Sequence, residues 1–130
     1  MSQNATFRKA SGDTAFGLSV LTVAAVTNTH LAYKLSALPS ASARTLAADV
    51  CGDNDVIAGF PYQKCKVGEA VLLQRGGHFE AIASGTIHLN NPLTAGPAGT
   101  VRVAVVTTDL FQAFAESEAL DGEIVQVRMK

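Results

Sequence analysis

Val56–Gly77 (VIAGFPYQKCKVGEAVLLQRGG) and Leu110–Lys130 (LFQAFAESEALDGEIVQVRMK) follow one pattern. Sliding the first onto the second by 54 positions sets Phe60 on Phe114, Gly68 on Gly122, Glu69 on Glu123, Val71 on Val125 and Leu73 on Val127. Each copy is an apolar stretch, a spacer, a Gly-Glu turn and an alternating apolar segment. The glycine suits a position of positive φ, where a Cβ is costly. The alternation after it has the two-residue period of a half-buried strand. Two copies are too few for a solenoid, which needs about three units or more. The pattern predicts an all-β fold, a small barrel or sandwich with two related halves.

At 130 residues the chain suits one domain, able to bury roughly two thirds of its unfolded surface. Hydrophobic residues make up 48% and charged residues 16%, with a formal net charge of −1. No global basic field therefore argues for nucleic acid or an anionic membrane. An apolar, nearly neutral chain fits a surface that a partner covers. Gly17–Val26 (GLSVLTVAAV) after Arg8 and Lys9 looks superficially like a signal peptide. It lacks a small-x-small cleavage site and is shorter than the roughly 20 residues of a membrane helix. Neither export nor membrane spanning is expected.

Taken in order, residues 1–14 read as an extended polar arm with Phe7 its one large apolar side chain, folded back on its own domain or laid across a neighbour. Residues 15–130 read as a single β domain. Ala15–Val26 is β-branched and strand-like, and Leu31–Leu35 alternates. Ser36–Ser42 is a loop, Arg44–Cys51 a helical turn or a strand, and Gly52–Asp55 a strong turn. Pro61 argues for an edge strand or a break rather than a central strand. Gly76-Gly77 is expected to close a hairpin into a strand at His78–Ala83, followed by a short strand at Gly85–Leu89. Asn90–Thr100 reads as loop and Val101–Thr107 as strand. Asp109–Leu120 is ambiguous: Asp109 and Gln112 are spaced like a capping box, and Leu110, Phe111, Phe114 and Ala115 form a helical stripe. The parallel with Val56–Cys65 favours strand and turn.

A search for convergent chemistry finds little. His78-Phe79-Glu80 matches half of a zinc-deaminase signature, without the Pro-Cys-x-x-Cys that must follow it. His78, Glu80 and His88 are a conceivable metal set, with solvated sheet-surface residues the commoner reading of such a pattern. There is no G-x-S-x-G elbow, Walker A loop, dinucleotide fingerprint or H-E-x-x-H. Scattered basic residues without interleaved aromatics give no stacking platform for nucleic acid. The sequence is read as non-enzymatic, with no cofactor and no bound metal. Cys51 and Cys65 lack zinc-ligand spacing. They are two reduced apolar residues, an internal disulfide if their Cα atoms approach to about 7 Å, or links to another chain.

The order of a polar arm, LAYKL, VIAGF…KVGEAVLLQRGGHFEAIASGTIHL, VRVAVV and FQAFAESEALDGEIVQVRMK resembles the capsid decoration (cement) proteins of tailed bacteriophages. The similarity spans about residues 30–130 and is carried by Gly, Ala and Val positions, without a catalytic signature. Ser36–Ser42 and Asn90-Asn91-Pro92 depart from the turns usual there. The resemblance implies a β-tulip-like barrel that forms homotrimers on the virion head, is made in the host cytoplasm, and binds the major capsid protein. It also implies a shell reinforced against internal pressure. On that reading Phe7, Arg8 and Lys9 of the arm are the expected contacts to capsid or neighbouring subunit, and Cys51 and Cys65 candidates for covalent reinforcement. Other virion structural parts, such as a tail or head-completion component, are the first alternative, and a small metal-binding β-barrel domain using His78, Glu80 and His88 is the second.

Overall fold

The computed structural model describes residues 17–36 and 46–130. They form β1 (Gly17–Thr22), β2 (Tyr33–Ser36), β3 (Ala47–Val50), β4 (Phe60–Pro61), β5 (Ala70–Gln74), β6 (His78–Ile82), β7 (Pro92–Ala95), β8 (Val101–Val103), β9 (Ala113–Ala115) and β10 (Ile124–Met129). A 3-10 turn, Pro97–Gly99, precedes β8. Among the described residues no helix is long and apolar enough to cross a membrane. The arm at 1–14, with Phe7, Arg8 and Lys9, lies outside the described residues, as does most of the Ser36–Ser42 loop.

Gly68 and Gly122 sit at φ values of 89° and 82°, where a Cβ would clash with its own backbone. In each turn the next residue reaches back. Glu69 accepts the Lys66 amide and Glu123 the Leu120 amide, both at 2.8 Å. The chain leaves these turns as β5 and β10, whose Val71 and Leu73, and Val125 and Val127, point inward and are buried. The period-two alternation thus places one face of each strand in a core.

The duplication runs through the whole described chain. One sheet has the order β2-β3-β1-β5-β4 and the other β6-β10-β9-β7-β8. β1 pairs β5 as β6 pairs β10, with Leu18↔Leu73 and Val20↔Val71 matching Phe79↔Val127 and Ala81↔Val125. Likewise β4 pairs β5 as β9 pairs β10, with Phe60↔Gln74 matching Phe114↔Arg128. Tyr33↔Val50 in the β2–β3 pair matches Leu93↔Val103 in the β7–β8 pair. The bridge Tyr33↔Gly59 reproduces the Leu93↔Ala113 pairing of β7 with β9. The parallel bridge Ala83↔Val101 reproduces in reduced form the parallel β1–β3 pairing. Among the described residues each sheet therefore curls until a single bridge joins its two edges, and neither closes as a barrel through a continuous ladder.

Two apolar cores follow. Leu18, Val20, Val26, Tyr33, Ala48, Val71 and Leu73 fill the first half. The second is built around Phe79, Ile87, Leu93, Val101, Val125 and Val127, and takes in Ala32, Cys51, Ile57 and Phe60 from the first half. Phe60 stacks on Phe79 with ring centroids 4.8 Å apart, at the seam between the sheets.

Several local expectations are corrected. Gly76-Gly77 closes no hairpin, because β5 and β6 belong to different sheets and the glycines carry the chain across. Asn90–Thr100 contains β7, with Pro92 at the first strand residue, where a missing N–H is tolerated. Gly85–Leu89 holds only the single bridge Ile87↔Ala119. The strand expected over Val101–Thr107 stops at Val103, since the Asp109 carboxylate takes the Val105 amide at 2.8 Å and starts a turn. Asp109–Leu120 contains β9 and no helix, and β4 with Pro61 is an edge strand, as the repeat and the proline indicate.

Candidate functional site: the junction of the halves and its apolar rims

The two halves meet through the turn Gly52–Asp55. Asn54 adopts φ of 59°, a conformation that asparagine tolerates better than most residues. Its amide donates to Ala95 O at 2.8 Å, and its side-chain oxygen accepts the Leu110 amide at 2.9 Å and the Thr94 hydroxyl at 3.2 Å. Gln112 completes the seam. Its Oε1 accepts the Ile57 amide at 2.7 Å, while Nε2 donates to Asp55 O at 2.7 Å and to Thr94 Oγ1 at 3.0 Å. One amide side chain of the second half thereby satisfies two backbone groups of the first and ties them to the Thr94 hydroxyl.

Beside it, Arg102 forms a double fork. It donates to both oxygens of Asp53, at 2.6 and 3.1 Å, and to both oxygens of Asp109, at 2.6 and 3.2 Å. Bidentate guanidinium–carboxylate geometry is the strongest form of such a pair. The Arg102 hydrogen bond, followed by the Val105 amide, holds the Asp109 carboxyl below its ordinary range. Lys34 does the same for Asp55, with which it pairs at 2.9 Å, and Asp55 in turn accepts the Gly52 amide.

Gly99 brings its backbone close to that of the first half. Its amide donates to Cys51 O and its carbonyl accepts the Ala32 amide, both at 2.8 Å. At φ of 80°, a Cβ there would lie 2.8 Å from Val50 Cγ1 and 2.9 Å from Leu31 Cβ. Only glycine lets the 3-10 turn sit this close.

The residues singled out in the sequence fall apart from one another. His78 pairs with Glu116, Glu80 with His30 at 3.5 Å and with Gln126 at 3.0 Å, and His88 with Glu118 at 3.6 Å. Each has its own partner, and they do not converge on a common point. Cys51 and Cys65 are free thiols. Cys51 belongs to the second core, while Cys65 packs against the first and lies 3.8 Å from Thr22 Oγ1. Both occupy positions where the other half has alanine. The Cys51 amide donates to Ala32 O as Ala104 does to Pro92 O, and Val26↔Cys65 matches Ile87↔Ala119. Burial, then the nearby Asp55, pushes the Cys51 thiol up to about 12, so it behaves as an apolar filler.

Three surface grooves of about 180, 250 and 170 Å³ occur among the described residues. Ligand pockets are typically about 300–1,000 Å³, so these suit side chains of a partner better than a substrate. The roomiest is lined by Lys34, Leu35, Asp55, Val56, Ile57, Ala58 and Arg75. Around the junction Val56, Val105, Val106 and Leu110 are exposed. Sequence reasoning missed Asn54, Arg102 and Gln112. Only Asn54 carried a signal, in Gly-Asp-Asn-Asp, where a left-handed turn residue is expected.

These features define a duplicated all-β domain whose surface offers apolar rims and small grooves. No protein-family model matches the sequence, and no curated protein does. Among solved structures the fold is similar to that of the head fiber gp8.5 N base in bacteriophage phi29. The TM-score is 0.69 at 16% identity, over 88% of this chain and 92% of that one.

Proposed function

We propose that this chain is a structural protein of a tailed-phage head: a decoration protein that binds the major capsid protein on the outer shell and stabilises the mature capsid. The observation that carries the reading is the likeness in fold, over nearly the full length of both chains, to the base of a phage head fiber. The exposed apolar side chains and shallow grooves suit a clamp that works by burying surface rather than by chemistry. On this reading the protein is not an enzyme, its partners are the capsid protein and further copies of itself as a homotrimer, and it contacts neither nucleic acid nor membrane. It is made in the host cytoplasm and resides on the virion surface. Many weak contacts, repeated around a multimer, give the avidity such a role requires.

The test is to mix the purified protein with expanded heads lacking it and to sediment them. Co-sedimentation that saturates at many copies per head, with a rise in the temperature at which heads open, is the expected result. Absence of binding overturns the proposal. A second reading, another virion structural part such as a fiber base or a head-completion component, draws on the same neighbour. Copy number per particle separates the two.

A further inference from the structure

The contact between the halves is head to tail, and a head-to-tail contact leaves one unused surface of each kind. The first half supplies a turn, Gly52–Asp55, and the second half receives it on β7 and β8. The second half has the equivalent turn, Val105–Asp109. Its Thr108 amide donates to Val105 O as Asp55 does to Gly52 O, and Asp109 caps the Val105 amide as Asp55 caps that of Gly52. In this equivalence Val106 stands in the place of Asp53 and Thr107 in that of Asn54. No described residue receives this turn, and Val105 and Val106 are 56% and 66% exposed.

The first half has the equivalent receiving surface. Lys34 and Leu35 of β2 match Thr94 and Ala95 of β7, which take the Asn54 turn. The ladder alternation set by the Cys51–Ala32 hydrogen bond turns the Leu35 backbone away from β3, as it turns Ala95 toward Asn54. Around it lies the groove of about 250 Å³ whose apolar lining is Leu35, Val56, Ile57 and Ala58. Leu35 is 49% and Val56 66% exposed.

We propose that Val105–Thr108 of one copy docks on the Leu35–Val56–Ala58 groove of the next, so that the contact between copies repeats the contact between halves. The occupant is a second copy of this chain, argued from two observations. Turn and receiving surface are the structural equivalents of a pair that packs together within the chain, Gly52–Asp55 on β7 and β8. Their chemistry is compatible: the tip Val105-Val106 is apolar, and Leu35, Val56, Ile57 and Ala58 give the groove an apolar lining beside Lys34, Asp55 and Arg75. Heterologous contacts of this kind build closed rings where the rotation closes. The inference deepens the self-association proposed above and rests on that reading only for the choice of partner. It requires no capsid.

The solution mass across a dilution series, measured without heads, tests it. The wild-type chain is expected to exceed a single-chain mass, and Val106→Glu and Leu35→Glu are each expected to weaken association about tenfold or more. Val106→Glu combined with Leu35→Lys is expected to restore it. Unchanged thermal unfolding of the monomeric variants shows that they fold. A wild-type chain at single-chain mass throughout, a multimer indifferent to both single changes, or a double variant no better than the singles overturns the proposal. None of these results touches binding to heads, which the sedimentation experiment reads separately.

Discussion

Replacing Gly99 with alanine tests the geometry of the junction directly. The added Cβ meets Val50 Cγ1 at 2.8 Å, Leu31 Cβ at 2.9 Å and Ala32 O at 3.3 Å, in a residue already at φ of 80°. The left-handed backbone costs a residue with a Cβ about 1–2 kcal/mol, and overpacking typically costs about 1–3 kcal/mol. Both act here, so the expected loss is about 2–5 kcal/mol. For a chain of this length that lowers the thermal midpoint by roughly 8–20 °C. Ala98, the neighbouring residue, is exposed and has φ of 56°. Ala98→Gly relieves strain while adding unfolded-state entropy, so its effect stays within about 1 kcal/mol. Differential scanning calorimetry on the pair gives the answer. A Gly99→Ala midpoint within about 2 °C of wild type refutes the close approach of the 3-10 turn to the first half.

Gln112→Ala removes three hydrogen bonds and leaves the Ile57 amide without its acceptor, so urea unfolding is expected to show a loss of about 2–3 kcal/mol. Asp109 is held below its ordinary pKa by Arg102, so the unfolded chain takes up its proton first as pH falls. Its contribution is present above the usual carboxylate range and is lost as pH drops through the folded value. Asp109→Asn should therefore lower stability at neutral pH and flatten the acid limb below about pH 4, read by unfolding at a series of pH values. With the Cys51 thiol near 12, about one molecule in ten thousand carries its thiolate at pH 8. A colorimetric thiol reagent should titrate only Cys65 in the native protein and both thiols after unfolding. Fast labelling of Cys51 in native protein would contradict its burial.

The turns carrying Gly68-Glu69 and Gly122-Glu123 were legible because glycine and a back-reaching carboxylate are local requirements. Val71, Leu73, Val125 and Val127 were legible by alternation. The rest of the duplication was hidden because its core positions ask only for an apolar side chain: Leu18 answers to Phe79, Val26 to Ile87 and Tyr33 to Leu93. Spacing between equivalent residues also changes from element to element, which defeats a single slide. Gly76-Gly77 misled because local turn chemistry cannot say which sheet the next strand joins. In Asp109–Leu120 the helical stripe was real as spacing but serves another end. Phe111 and Phe114 meet edge to face, and Lys130 and Arg128 lie over their rings at 4.2 and 4.8 Å on the outside of the sheet. The junction residues Arg102 and Gln112 were not legible at all, since their partners are distant in sequence.

The two cores are unequal in one further respect. The first is closed by residues of its own half, whereas the second borrows Ala32, Cys51, Ile57 and Phe60. That asymmetry gives the molecule an order of assembly. As synthesis proceeds, the leading half can bury Leu18, Val20, Val26, Tyr33, Val71 and Leu73 before the trailing half exists, and presents Ala32, Cys51, Ile57 and Phe60 as an open apolar wall. The trailing half condenses on that wall and completes its interior only there. Dependence runs one way along the chain, so a lesion in the first half unseats both, while a lesion in the second leaves the first with its core intact.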